Sequence, residues 1–456
     1  MKKLCATLLC LALCMGVLPV RAAGPEVNAR AALLMEKSTG QVLYEANAHA
    51  PLELASVTKV MTMLLIMEAL DAGTITKETM VPVSATAAGM GGSQVYMEEG
   101  EEFSVHDMLK AIAVASGNDA CVAMAEYLAG SESAFVEKMN ARAAELGMED
   151  TVFCNCTGLP AEGHHSSAYD IALMSRELIL HHPDIRTYTT IWMDTLRDGD
   201  FQLANTNKLV RYYEGATGLK TGSTDAALYC LSATAEKEGM ELIAVILGAP
   251  TSNDRFEGGK ALLNYGFAAY ALVPVAPSEP LTPVPVTLGT AASVQPGLAQ
   301  ERQLLLPKGE AGKVTTTVDL PSALSAPVEA GQELGHLTVL VDGQAVEEIP
   351  LVAQEAVGKR SLWQVYGGLL AALFCPTTWL NSAYWGQCDS VYGALAIWGL
   401  YCGFQKKSWQ CYLLFALSLS FKLQSVFLLP ILAFLLVCQM IRLRDIWVFP
   451  AAFVGV

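Results

Sequence analysis

The stretch Ala55-Ser56-Val57-Thr58-Lys59-Val60-Met61-Thr62-Met63-Leu64-Leu65-Ile66-Met67 decides how the rest of this chain is read. A serine and a lysine three positions apart open a run in which, over residues 60–67, only Thr62 is polar. Such a run predicts a buried helix over residues 56–70, stopped by Asp71-Ala72-Gly73. On a helix, positions i and i+3 share a face, so the Ser56 hydroxyl and the Lys59 amine can meet. Serine is a poor nucleophile until a base takes its proton. Burial disfavours the charged form of lysine, and a neutral lysine is such a base. The bland alternative is a helix-capping serine beside a solvated lysine, for which the apolar run is a poor setting.

Two further triplets follow in order, Ser116-Gly117-Asn118 and Lys220-Thr221-Gly222. The first is delivered by the end of a predicted helix over residues 105–115, with a third helix over residues 120–128. The second sits on a strand edge just before two predicted strands, residues 229–235 and 242–247, which turn at Glu238-Gly239. Earlier, residues 31–35 and 41–44 read as two strands joined by Lys37-Ser38-Thr39-Gly40. Either triplet alone is a turn or a strand edge; three in order, each in a suitable setting, read as one active site. His164, His165, His181 and His182, with Cys154 and Cys156, match no metal-ligand spacing. They are expected on a surface loop and a helix end, with no metal.

The 456 residues predict several units. Residues 1–22 read as a signal peptide: basic Lys2-Lys3, an apolar core, and a Val20-Arg21-Ala22 end. Residues 25–272 have the composition of a mixed α/β catalytic domain. Residues 273–285 carry Pro274, Pro277, Pro280, Pro283 and Pro285 and read as a linker. Residues 286–357, with a hairpin signal at Asp342-Gly343, read as a small all-β domain. Residues 361–456 are nearly free of charge and read as a hydrophobic membrane tail. A net charge of -16 argues against nucleic acid, because a phosphate backbone needs a basic surface. The four cysteines of the body, Cys121, Cys154, Cys156 and Cys230, indicate no disulfide framework.

The three motifs, S-x-x-K, S-x-N and K-T-G, resemble those of penicillin-binding proteins. Over about residues 31–357 the chain is similar to the low-molecular-mass members, the serine D-alanyl-D-alanine carboxypeptidases of peptidoglycan metabolism. Leu219-Lys220-Thr221-Gly222-Ser223-Thr224 resembles the third motif. Asn155, Gly158-Leu159 and His165-Ser166-Ser167-Ala168-Tyr169-Asp170 resemble a segment between the second and third. The resemblance implies a serine β-lactamase/transpeptidase-like domain followed by the β domain. It also implies roles: Ser56 the acylated nucleophile, Lys59 its general base, and Ser116 the proton relay to the leaving D-alanine. Asn118 would hold the substrate backbone. Lys220 would bind the terminal carboxylate with Thr221 and Gly222 alongside, and the Ser56 and Ser223 N–H groups would form the oxyanion hole. The implied partners are a stem peptide ending in D-Ala-D-Ala, β-lactam antibiotics as inhibitors, and the membrane at the extracytoplasmic face of a bacterial cell; no cofactor is implied.

A β-lactamase or D,D-endopeptidase using the same site is the alternative. Residues 184–207 contain no glutamate to serve as a class A deacylating base, which counts against the former. In the tail, residues 381–390, Phe421-Lys422-Leu423-Gln424 and Leu429-Pro430 resemble a fragment of multi-spanning membrane glycosyltransferases. Anchoring, rather than sugar transfer, is the expectation there.

Overall fold

A computed structural model describes residues 24–373, 389–421 and 429–449. The expected signal peptide, residues 1–22, lies outside them. The chain divides into two compact units, 1–279 with 300–318 and 337–349, and 280–299 with 319–336 and 350–456.

The first unit is built on an antiparallel five-stranded sheet. Strands β1 (Ala31–Glu36) and β2 (Val42–Ala46) form the N-terminal hairpin; β3 (Ala216–Thr224), β4 (Leu228–Lys237) and β5 (Met240–Ala249) come from much later in the chain. The order is β2-β1-β5-β4-β3, so β3 is an edge strand. Both faces are covered, which explains why β1 and β5 are buried along their whole length. Successive strand side chains point to opposite faces, and the cores divide accordingly. Leu33, Met35, Ile243 and Val245 join one cluster; Leu34, Leu242, Ala244 and Ile246 join the other. The first cluster takes in helices α1 (Lys59–Asp71), α2 (Val105–Ala113), α3 (Asn118–Ala129) and α4 (Ala168–His181). The second takes in α5 (Ser252–Ala269), where a Cβ on Gly266 would stand 2.5 Å from Leu242.

The predicted 56–70 helix differs at its start. Residues Ala55–Thr58 form a 3₁₀ turn and the α-helix begins at Lys59. The turn is closed by its own ends: Ala55 has φ 47, and its carbonyl accepts the Thr58 hydroxyl at 2.9 Å. A 3₁₀ turn eclipses i and i+3, so the Ser56–Lys59 pairing survives the change.

Around the proline-rich stretch, Tyr270–Val275 pairs antiparallel with Arg302–Pro307, and Val284–Thr287 is also a strand. In the second unit, Val284–Thr287 pairs with Ser293–Val294 and Leu324–Ser325 over a core of Val284, Val286, Val294, Val328 and Val357. Backbone pairing continues past Val357, with Thr290 N–H donating to Gly358 and Arg360 N–H to Leu288, each at 2.8 Å. The hairpin expected at Asp342-Gly343 joins Glu333–Val341 to Gln344–Ala353, and both turn residues have positive φ.

In the tail, helices run over Leu362–Leu373, Asp389–Phe404, Ser408–Phe421 and Leu429–Val437. Crossing a bilayer takes about 20 residues. Among the described residues no helix is long and apolar enough to do so, and the spans expected from composition are not seen there. Residues 381–388 and 422–424, which carry most of the glycosyltransferase resemblance, lie outside the described residues.

Candidate active site

The first two motifs meet at one amine, and the third borders the turn that carries Ser56. Lys59 is fully buried at the start of α1, and its Nζ lies 2.9 Å from Ser56 Oγ, 2.6 Å from Asn118 Oδ1 and 2.8 Å from the Thr157 carbonyl oxygen. Asn118 is oriented by its other end, since Nδ2 donates to the Gly91 carbonyl at 2.7 Å, which leaves Oδ1 facing the lysine. Burial pushes the Lys59 amine down from the ordinary lysine range. A neutral amine has two N–H donors and one lone pair. Asn118 Oδ1 and the Thr157 oxygen can only accept, so they take the two donors. The lone pair then faces the Ser56 hydroxyl, the arrangement proton removal requires.

Thr157 is delivered by a loop that Asn155 organises. Asn155 Oδ1 accepts the Gly158 N–H at 2.7 Å and the Thr157 N–H at 3.2 Å, and Nδ2 donates to the Leu159 carbonyl at 2.9 Å. Gly158 has φ +82, and a Cβ there would come within 1.9 Å of the Ala55 carbonyl oxygen. Only glycine suits that position, in conformation and in space.

Ser116 opens the second motif with φ 62, and its buried Oγ has no hydrogen-bond partner in the protein. Neither its donor nor its acceptor is engaged among the described residues. Lys220 is buried on β3, where Nζ donates to the Thr221 carbonyl at 3.0 Å. Burial, and then the nearby Lys59, push its amine well below the ordinary range. Thr221 Oγ1 donates to Thr206 Oγ1 at 2.6 Å. Gly222 is where β3 presses on the nucleophile turn: a Cβ there would stand 2.7 Å from the Ser56 nitrogen and 2.8 Å from the Leu54 oxygen. Arg255 of α5 supports the strand from behind, donating to the Gly222 carbonyl at 3.1 Å and the Cys230 carbonyl at 3.3 Å. Ser223, next along β3, is exposed.

Comparison with known proteins agrees with this arrangement. Residues 19–251 match the D-alanyl-D-alanine carboxypeptidase family of peptidases, and residues 274–359 match the C-terminal domain of penicillin-binding protein 5. The chain belongs to the D-alanyl-D-alanine carboxypeptidase family. It is 45% identical over 337 residues to the D-alanyl-D-alanine carboxypeptidase DacF of Bacillus subtilis, covering 73% of this chain and 86% of that one. Penicillin-binding protein 5 of Haemophilus influenzae is similar in structure, with a TM-score of 0.65 at 30% identity over 74% of this chain and 99% of that one. Penicillin-binding protein D2 of Listeria monocytogenes, solved in a cefotaxime-bound form, matches with a TM-score of 0.50 at 32% identity, covering 54% of this chain and 99% of that one.

Within this family member, the structure places Ser56, Lys59 and Asn118 in direct contact, with Gly222 of β3 against the Ser56 turn. Asn118 is engaged at both ends of its amide, with Oδ1 on Lys59 Nζ and Nδ2 on the Gly91 carbonyl. Two contributors escaped the sequence reading. The Thr157 carbonyl is backbone and leaves no signature in residue type. His164 is not on a surface loop but buried, with Nδ1 accepting the Cys154 N–H at 3.0 Å and Nε2 2.8 Å from Thr58 Oγ1. Nδ1 as acceptor puts the proton on Nε2, so His164 donates to Thr58, which in turn donates to Ala55. Burial pushes the His164 pKa down to about 4, which keeps the ring neutral. Among the described residues no cluster suited to a metal is present.

Two outcomes follow from this geometry. Gly222→Ala is expected to lower the rate of penicillin acylation at least tenfold while the protein stays folded, because the added methyl displaces the Ser56 amide. Acylation kinetics alongside a thermal melt check both halves. His164 titrates in the unfolded chain near 6.5 and in the folded chain near 4. Its neutral form therefore contributes stability above pH 6.5 that is lost as pH falls toward 4. His164→Gln is expected to lose less melting temperature than the parent between pH 7 and pH 4.5, measured by calorimetry.

Proposed function

We propose that Ser56 is the residue acylated in the reaction, with Lys59 as its base. The chain is a serine-type D-Ala-D-Ala carboxypeptidase that removes the terminal D-alanine from peptidoglycan stem peptides. The observation carrying this assignment is the buried Lys59 nitrogen held within hydrogen-bond distance of Ser56 Oγ and of two groups that can only accept, Asn118 Oδ1 and the Thr157 carbonyl. Ser56 Oγ attacks the carbonyl of the penultimate D-alanine as Lys59 takes its proton. The proton passes by way of the free Ser116 hydroxyl to the leaving amine, the C–N bond breaks, and an ester on Ser56 remains. Water then hydrolyses that ester with Lys59 again as base.

Developing charge on the carbonyl oxygen needs donors preorganised at that point. The approach of β3 at Gly222 supports a pair of donors from the Ser56 and Ser223 N–H groups. Lys220, buried without a carboxylate partner and depressed by Lys59, is suited to the substrate's terminal carboxylate. An arriving anion restores its charge, and the requirement for that anion makes the enzyme an exopeptidase. β-Lactams react at the same serine, as the cefotaxime-bound relative supports by analogy. Placement outside the cytoplasmic membrane is supported by the basic-then-apolar start of residues 1–22, and attachment by the apolar tail.

Penicillin-treated protein is expected to carry its adduct on the peptide containing Ser56, located by mass spectrometry. Lys59→Arg keeps a cation but cannot accept a proton, and its acylation is expected to fall by orders of magnitude; near-normal labelling would point to another base. The pH profile of acylation is expected to rise with deprotonation of Lys59, at a midpoint below the ordinary lysine range. A chain ending at Arg360 keeps the motifs and the full pairing of the β segment. It is expected to release D-alanine at a rate within about twofold of the full chain; a folded but inactive product would make the tail part of the catalytic unit.

A further inference from the structure

Beside Ser56, on the side away from Lys220, lies a small groove whose walls include Glu53, Ala55, Leu159, His164, Thr224 and Ala226. Glu53 is its one carboxylate. The side chain is exposed, and among the described residues it forms neither a hydrogen bond nor an ion pair. Arg30, which donates to the Ala226 carbonyl at 3.3 Å, does not pair with it. The only other ionisable group in the lining is His164, held neutral by burial and bonded to Thr58 and Cys154. Glu53, three residues before the nucleophile, is thus a carboxylate of the lining with no ion-pair partner among the described residues, and the Arg30 cation stands at Ala226.

The direction of the substrate follows from β3. Gly222 touches the Ser56 turn, so Lys220 and Thr224 lie on opposite sides of the nucleophile, each about 6.6 Å away along an extended strand. With the terminal carboxylate at Lys220 and the scissile carbonyl at Ser56, the acyl portion of the peptide runs toward Thr224. The residue preceding the two D-alanines therefore arrives at the groove that Thr224 and Glu53 share.

We infer that this groove is the subsite for the side chain of that preceding residue, and that Glu53 selects a side chain ending in an ammonium group. The inference rests on the acyl-enzyme reading above. An ammonium brought to Glu53 gains a charge-assisted hydrogen bond, whereas an N-acylated side chain has lost the charge that makes it. Because the contact forms on binding and lies away from the reacting bonds, it acts chiefly on KM.

The full-length protein is tested with two peptides, Nα-acetyl-L-Lys-D-Ala-D-Ala and its Nα,Nε-diacetyl counterpart, following D-alanine release. The expected result is a kcat/KM at least fivefold higher for the free amine, with the difference in KM. In Glu53→Gln the two peptides are expected to fall within twofold of each other, and in Glu53→Lys the preference is expected to reverse. The ratio is internal to each variant, so partial loss of folded protein leaves it unaffected. A parent enzyme that prefers the diacetyl peptide, or a Glu53→Gln variant that keeps the parent's ratio, overturns the subsite. Absence of a penicillin adduct on Ser56 in the parent overturns the acyl-enzyme reading instead, and the two failures are thereby distinguished.

Discussion

A charged amine in an apolar core is costly; leaving water imposes several kcal/mol on each ion unless the site compensates. The structure around Lys59 lowers the cost of losing the charge, since burial pushes the amine's pKa down, and surrounds the nitrogen with oxygen partners. Two acceptors supplied by distant segments, the Asn118 amide oxygen and the Thr157 carbonyl, hold the nitrogen. The third direction belongs to Ser56. Nucleophile turn, second motif and the 155–158 loop must therefore be placed together, and most of the helical packing serves that placement. Asn118 needs Gly91 to set its orientation, and Thr157 needs Asn155 to shape its loop.

Close backbone approach is the second constraint. Gly158 against Ala55 and Gly222 against Ser56 leave no room for a Cβ, so the 3₁₀ turn is pressed from two directions. That pressure, with the His164–Thr58–Ala55 chain of hydrogen bonds, holds Ser56 on a tight turn ahead of α1 rather than within it. Edge position matters equally. Because β3 ends the sheet order, one side of it is bonded to β4 while the other borders the serine. An extended chain can lie along that free edge without unravelling the sheet.

Lys220 is a second buried lysine, within electrostatic reach of Lys59. Lys220 feels both burial and Lys59. A substrate carboxylate reverses the balance at Lys220, and the restored positive charge further disfavours protonation of Lys59. On the proposed roles, binding of the terminal carboxylate and readiness of the base would be coupled through charge.

Much of this protein is determined by its sequence. The apolar run after Lys59 dictates a buried helix and a depressed amine. Alternating positions in residues 31–35 and 242–247 fill two cores, and the Asp342-Gly343 pair makes a hairpin because both residues accept positive φ. The motifs themselves are residue types whose chemistry is local, so Ser56, Lys59, Ser116 and Lys220 could be named before any coordinates. Only the tertiary structure decided what surrounds them. Thr157 contributes a backbone carbonyl, which no residue type encodes. Asn118 is committed to the base by Gly91, a contact 27 positions away. His164 looked like one of several loop histidines until folding buried it against Thr58, 106 positions earlier in the chain. Local chemistry is written in the order of residues; which groups share a hydrogen bond across a hundred residues is settled by the packing of the cores that bring them together.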